Sequence, residues 1–238
     1  MSDLDLIGAI ALTASAALVV GAFAASGAVA PEMRARVTAA LVAWFVLVVA
    51  AAAAGLFSSE FGFGTPALGV AVLVPVLVGV YAALRAPSFA AAMQAIPVEL
   101  LIAVQGVRVL GVFFILLYAA GRLPAPFAPI AGWGDIVAGA AALPVAWLVL
   151  RRAQGWRTIA LVWNAFGLVD LAVAVGLGVT SAADSPVRLF FGAVDSSAMS
   201  APPWILVPGF LVPLFVLAHL AVFRRLRDRV RAAWPAHA

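Results

Sequence analysis

From Val98 to Gly121 the chain is long and apolar enough to cross a bilayer, yet Gln105 and Arg108 sit inside the stretch. A spanning helix needs about 20 predominantly apolar residues, and Arg108 falls near the middle of this one. Residues three apart share a helix face, so Gln105 and Arg108 point the same way. An arginine at the centre of a membrane helix costs roughly 2.5–3.5 kcal/mol on insertion scales. Such a side chain faces protein or water and needs a partner.

Composition puts that helix in a membrane protein. The chain has 238 residues, 66% hydrophobic and 10% charged, whereas soluble domains are about 45–50% apolar and about 25% charged. The net charge of +4 is no nucleic-acid signal, because the basic residues flank apolar runs in the positive-inside manner. All 14 basic residues are arginine. Without lysine there is no amine for a retinal or pyridoxal phosphate Schiff base. Without cysteine there is no disulfide, thiolate metal site, c-type haem or thiol nucleophile. His219 and His237 alone exclude a multi-histidine metal site, so no metal or cofactor is expected. The Ala-, Gly- and Arg-rich, Lys-free composition suggests a GC-rich bacterial genome.

Seven spans follow from the apolar runs, at about 4–30, 37–57, 67–84, 98–120, 131–150, 158–180 and 204–223. The predicted architecture is an all-α polytopic seven-helix bundle, 1–223, followed by a basic tail, 224–238. The acidic start MSDLD and the length of the first run predict a retained helix rather than a signal peptide. Residues 31–36, 58–66 and 85–97 read as links, and 181–203 as the longest one. The stiff stretch GRLPAPFAPIAGWG after span 4 reads as a re-entrant or packed cap. With the N-terminus outside, eleven arginines lie on the cytoplasmic side and Arg122 and Arg188 outside. That bias predicts an N-out, C-in topology in a bacterial inner membrane. The basic tail is expected on anionic lipid, and Trp133, Trp156 and Trp204 as interfacial belt anchors.

A helix rises about 1.5 Å per residue, so position along a span gives depth. Arg108 and Asp170 come out level near the midplane and are the first-choice ion pair. Gln105 and Asn164 lie roughly 4–9 Å further toward the cytoplasm, and Asp135 about 12 Å nearer the outside. His219 falls near the cytoplasmic end of span 7. Protonatable groups ordered in this way form a candidate proton or ion pathway. Each has a plainer reading. Arg108 and Asp170 serve as a structural pair, with Asp135 as the alternative partner. Gln105 and Asn164 act as interhelical hydrogen-bond glue, and Asp135 caps the start of span 5. His219 is simply packed or snorkelling.

Three stretches, RVLGVFFILLYAAGRLPAPFAPIAGWGDIVAG (Arg108 to Gly139), WNAFGLVDL (Trp163 to Leu171) and WILVPGFLVPLFVLAHL (Trp204 to Leu220), resemble a family of uncharacterised bacterial multi-pass membrane proteins. That resemblance covers about the C-terminal half and implies no activity and no catalytic residue. In size and topology the chain is similar to microbial rhodopsins, but it lacks the retinal lysine.

The functional reading from sequence is a small transporter or channel built on Arg108 and Asp170, with prolines in spans 3, 5 and 7 as hinges. Arg108 by itself also suits an anionic substrate. One alternative is a seven-helix sensor binding a lipid or carotenoid against Phe113, Phe114, Phe210 and Phe215. Another is a subunit that docks, as a homo-oligomer or in a larger membrane complex, through the small-residue faces of spans 1 and 2. An enzyme is the weakest reading, since no Ser-His-Asp set or HExxH motif is present.

Overall fold

The computed structural model of the chain describes residues 2–233. Among the described residues it is all helix, with no strand. Seven helices are long and apolar enough to cross a membrane. They are α1 (Asp3–Ala24), α2 (Pro31–Ala53), α3 (Gly64–Arg85), α5 (Val98–Ala119), α6 (Phe127–Leu150), α7 (Trp156–Ser181) and α8. Helix α8 opens with a π-helical turn, Val207–Leu211, and continues as an α-helix over Val212–Ala233. A short helix, α4 (Pro87–Ala95), joins α3 to α5.

Local chemistry sets the helix starts. At α1, Ser2 and Asp5 form a reciprocal capping box, which satisfies two otherwise orphaned amides. Pro31 and Pro87 occupy the first turns of α2 and α4, where a missing N–H costs nothing. Span 2 therefore begins at Pro31, and Arg34 and Arg36 belong to its first two turns rather than to a link. Helix α3 is capped from a distance: Asp184, in the loop after α7, accepts from the Thr65 backbone N–H at 2.7 Å and from its hydroxyl at 2.6 Å. Burial acts to raise the Asp184 carboxyl, but the two Thr65 bonds outweigh it and hold the group below the usual aspartate range. Gly64, at φ +56°, starts this helix because a Cβ there would collide with the Asp184 carboxylate.

Two other sequence expectations change. Helix α6 starts at Phe127, so the proline-rich stretch contributes a short connection at 120–126 and then two turns of ordinary helix, not a re-entrant cap. Trp204 is buried, with 1% of its surface exposed, and is no belt anchor. Of the basic tail, residues 224–233 continue α8, while His237 and the rest of 234–238 lie outside the described residues.

The core is asymmetric. Helix α6 packs deeply against α5 and α7 through Ala128, Ala131, Gly132, Ala138, Gly139 and Ala142. Small residues three and four apart give a smooth face that lets backbones approach. Gly132 and Gly111 face one another so closely that a Cβ on Gly111 would lie 2.7 Å from the Gly132 carbonyl oxygen. Helices α2 and α3 are much more exposed and barely touch each other.

Candidate functional site

Arg108 lies in a stretch of 3-10 helix, Val104–Gly111, inserted in the middle of α5. Mid-helix 3-10 segments and π turns are unusual and often mark functional or strained positions. Here one of each occurs, in α5 and in α8. The arginine is 2% exposed. Its Nε donates to Asp135 Oδ1 at 2.7 Å, and one Nη2 hydrogen goes to Asp170 Oδ2. Its Nη1 donates to the Gly167 carbonyl at 3.2 Å and to His219 Nε2 at 3.2 Å. Arginine has five N–H donors, and four are thus engaged.

The arginine has no acceptor, so its contact fixes the histidine. His219 Nε2 must accept from Arg108, which leaves the proton on Nδ1 of a neutral ring. That Nδ1–H then donates to Asn164 Oδ1 at 2.8 Å. The Asn164 amide in turn donates to the His219 carbonyl at 3.1 Å. Trp163 covers the histidine ring at a centroid distance of 5.3 Å and donates its indole N–H to the Ala138 carbonyl at 3.0 Å. One 3-10 turn before Arg108, Gln105 donates to the Phe215 carbonyl at 3.1 Å, and its Oε1 is buried without a partner among the described residues.

Of the six residues singled out from sequence, five form one connected cluster, and Gln105 lies beside it on α5, bonded to the Phe215 carbonyl of α8. The expected ladder of depths contracts around Arg108, while Asn164 stays six residues, about 9 Å of helix rise, from Asp170 along α7. Arg108 pairs with both aspartates rather than choosing between them. Asp135 does not cap α6, because the helix begins eight residues earlier; that earlier start lowers Asp135 by about 6 Å relative to a start at Ala131, and the long arginine side chain covers the rest. His219 sits in mid-helix, not at an interface, because α8 runs on past Phe223. Gln105 and Asn164 do tie helices together, both onto backbone carbonyls of α8.

The sequence reading missed the glycines that make room for these groups. A Cβ on Gly134 would collide with the Asp170 carboxylate. One on Gly167 would lie 2.6 Å from His219 Cε1 and 3.1 Å from Arg108 Nη1, and one on Gly139 would lie 2.9 Å from the Arg108 carbonyl carbon. The signal was present in Gly132-Trp133-Gly134-Asp135, where glycines flank a buried acid.

A cavity of about 30 Å³ reaches the cluster, with Arg108 and Asp135 on its wall beside Leu12, Gly111, Phe113 and Trp204. That is room for a water or two. Trp204 forms part of its wall. The indole lies over Gly8, where a Cβ would come 2.5 Å from the ring. Its Nε1 donates to Asp5 Oδ1 at 2.9 Å, and the same oxygen pairs with Arg122 at 2.9 Å. Among the described residues no three His, Asp or Glu side chains are grouped as a metal site.

A family model, Domain of unknown function (DUF8737), matches residues 65–227, more than half of the chain. The chain belongs to this family. The matched region runs from Thr65 to Arg227 and so contains Arg108, both aspartates, Asn164 and His219, while α1 and α2 fall outside it. Comparison with curated proteins finds no match, and comparison with solved structures finds none either.

Proposed function

We propose that the protein is a small transporter or channel that moves protons or a monovalent cation through the Arg108–Asp135–Asp170 cluster. The charge count carries this reading. One guanidinium faces two carboxylates where Arg108 has no exposed side-chain surface. With both acids ionised the site holds one excess negative charge, and an uncompensated buried charge is costly. A proton or a small cation on the carboxylates removes it. An anionic substrate fits less well, because four of the five Arg108 donors are taken. Ionisable groups inside a membrane bundle commonly mark proton and ion routes.

Access in this reading is from the face that carries the start of α1. Trp204 and Asp135 line the same cavity, and the Asp5–Arg122 pair holds the Trp204 indole. The arginine bias makes this the outer face, with the C-terminus in the cytoplasm of a bacterial cell and the basic tail on anionic lipid. The second reading, a purely structural lock, draws on the same geometry, since the arginine and histidine are almost fully hydrogen-bonded.

Flux separates the two. The protein is reconstituted in liposomes containing a pH-sensitive dye, and a potential is imposed with potassium and valinomycin. Wild type is expected to carry protons, or sodium when a sodium-sensitive dye replaces the first. Asp135→Asn and Asp170→Asn are expected to slow the flux at least about tenfold, equivalent to about 1.4 kcal/mol of barrier. Wild-type liposomes as tight to protons and sodium as empty ones would sink transport and leave the lock.

A further inference from the structure

A larger cavity lies on the other face of α8 from the Arg108 cluster. It occupies about 310 Å³ between α2, α3, α4 and α8. Its wall is apolar along its length, from Trp44 and Pro75 to Met93 and Leu217, and Arg34 is the charged residue among its described lining. Helices α2 and α3 leave the space open because they barely touch each other. Helix α4 roofs the end near Arg34 with Phe89, Ala92 and Met93.

A void of this size is destabilising in proportion to its volume. Water does not fill it, because water needs two to four polar partners and the wall offers almost none. An alkyl chain does, since methylene groups gain by leaving water and packing on apolar surface. The chemistry of the head is set by Arg34. It is half-buried, makes one long hydrogen bond, 3.5 Å to the Ser26 carbonyl, and has no ion pair among the described residues. Arg85 ends α3 at the same end of the bundle, and Arg224 reaches the Ala83 carbonyl there at 3.4 Å. Arg34 in the wall of an apolar cleft, with two further arginines at that end of the bundle, suits a phosphate, which arginine binds with paired N–H donors.

We propose that this cleft is a binding site for one anionic phospholipid, with an acyl chain along α8 between α2 and α3 and the phosphate at Arg34. The site is independent of the transport reading, and its test needs no flux.

The protein is exchanged into vesicles of equimolar phosphatidylglycerol and phosphatidylcholine, extracted in mild detergent, and weighed with its retained lipid by native mass spectrometry. Wild type is expected to keep one phosphatidylglycerol in preference to phosphatidylcholine. Arg34→Gln, which removes the phosphate contact, and Thr38→Trp, which fills the cleft, are each expected to cut that retention about tenfold. Arg36→Gln, an exposed arginine outside the cleft, leaves it unchanged. Arg34→Lys keeps the charge and retains the preference, so the test stands if the glutamine variant fails to fold. Equal retention of the two lipids by wild type, or an equal loss in Arg36→Gln and Arg34→Gln, overturns the proposal.

Discussion

The two sides of this bundle solve the membrane problem in opposite ways. On one side α5 and α8 bury 50% and 56% of their spans, and between them, α6 and α7 they enclose an arginine, two aspartates, an asparagine and a histidine. On the other, α2 and α3 bury only 11% of theirs, carry no buried charge and leave a cleft. Lipid is as apolar as leucine, so apolar surface alone does not draw membrane helices together. Close association needs small residues and polar links. Helices α5 to α8 have both; among the described residues no side-chain hydrogen bond joins α2 to α3. A polar link does tie α2 to α8: Pro213 has no N–H to offer the Gly209 carbonyl one turn back, and Trp44 of α2 donates to that oxygen instead, at 2.9 Å.

If that contrast is right, substitutions on the two sides differ steeply in cost. The largest effect is expected for Arg108→Ala, which strands two buried carboxylates. Breaking a buried ion pair costs about 3–5 kcal/mol, measured as loss of resistance to denaturant in detergent. A triple variant, Arg108→Leu with Asp135→Asn and Asp170→Asn, should recover a large part of that loss. If instead Arg108→Ala unfolds like wild type, the cluster is open to solvent and the comparison fails at its strongest point.

A single methyl group is the next probe. Gly134→Ala pushes a Cβ into Asp170 and should cost about 1–3 kcal/mol as overpacking. Gly69→Ala in α3, with open space around it, should be neutral or slightly stabilising through helix propensity. Equal midpoints for the two variants would remove the packing difference.

Asp184→Ala tests the tie between α3 and the tightly packed side. Loss of a helix N-cap costs about 0.5–2 kcal/mol, read as a fall in melting temperature. Because the native carboxyl is held below its usual range, its contribution is present at neutral pH and is lost as pH falls through that lowered value. The variant and wild type should therefore converge in acid; a gap that widens there contradicts the assignment. The smallest effect is expected for Leu77→Ile, on the exposed face of α3, within about 0.5 kcal/mol of wild type.

The seven spans and the Arg108–Asp170 pair were legible in the sequence, because span length, an intramembrane charge and the rise per residue are local quantities. What failed depended on where helices begin and end. Residues 127–130 look like a proline-rich loop, yet a proline in the first turn of a helix is harmless, and that misplacement set Asp135 one level too high. The basic run after Phe223 looks like a tail but extends α8, which moved His219 from the end of a helix to its middle. The glycines that admit Asp170 and His219 carry no periodic signal of their own, since their role is defined by another helix. The 3-10 and π segments are set by packing and by Pro208 and Pro213, and no propensity marks them.

The 3-10 segment of α5 has a mechanical consequence. Each of its eight residues advances about 0.5 Å further and turns about 20° further than in an α-helix. Over the segment this amounts to about 4 Å of extension and about 160° of twist. The hydrogen-bond register around Arg108 thus fixes how the Val98 end of α5 is rotated relative to the Phe113–Phe114 end. Re-registering those few bonds would act as a screw, turning the aromatic wall of the cavity relative to the Val98 end. The charged cluster and the shape of the small cavity beside it are, in this helix, one mechanical variable.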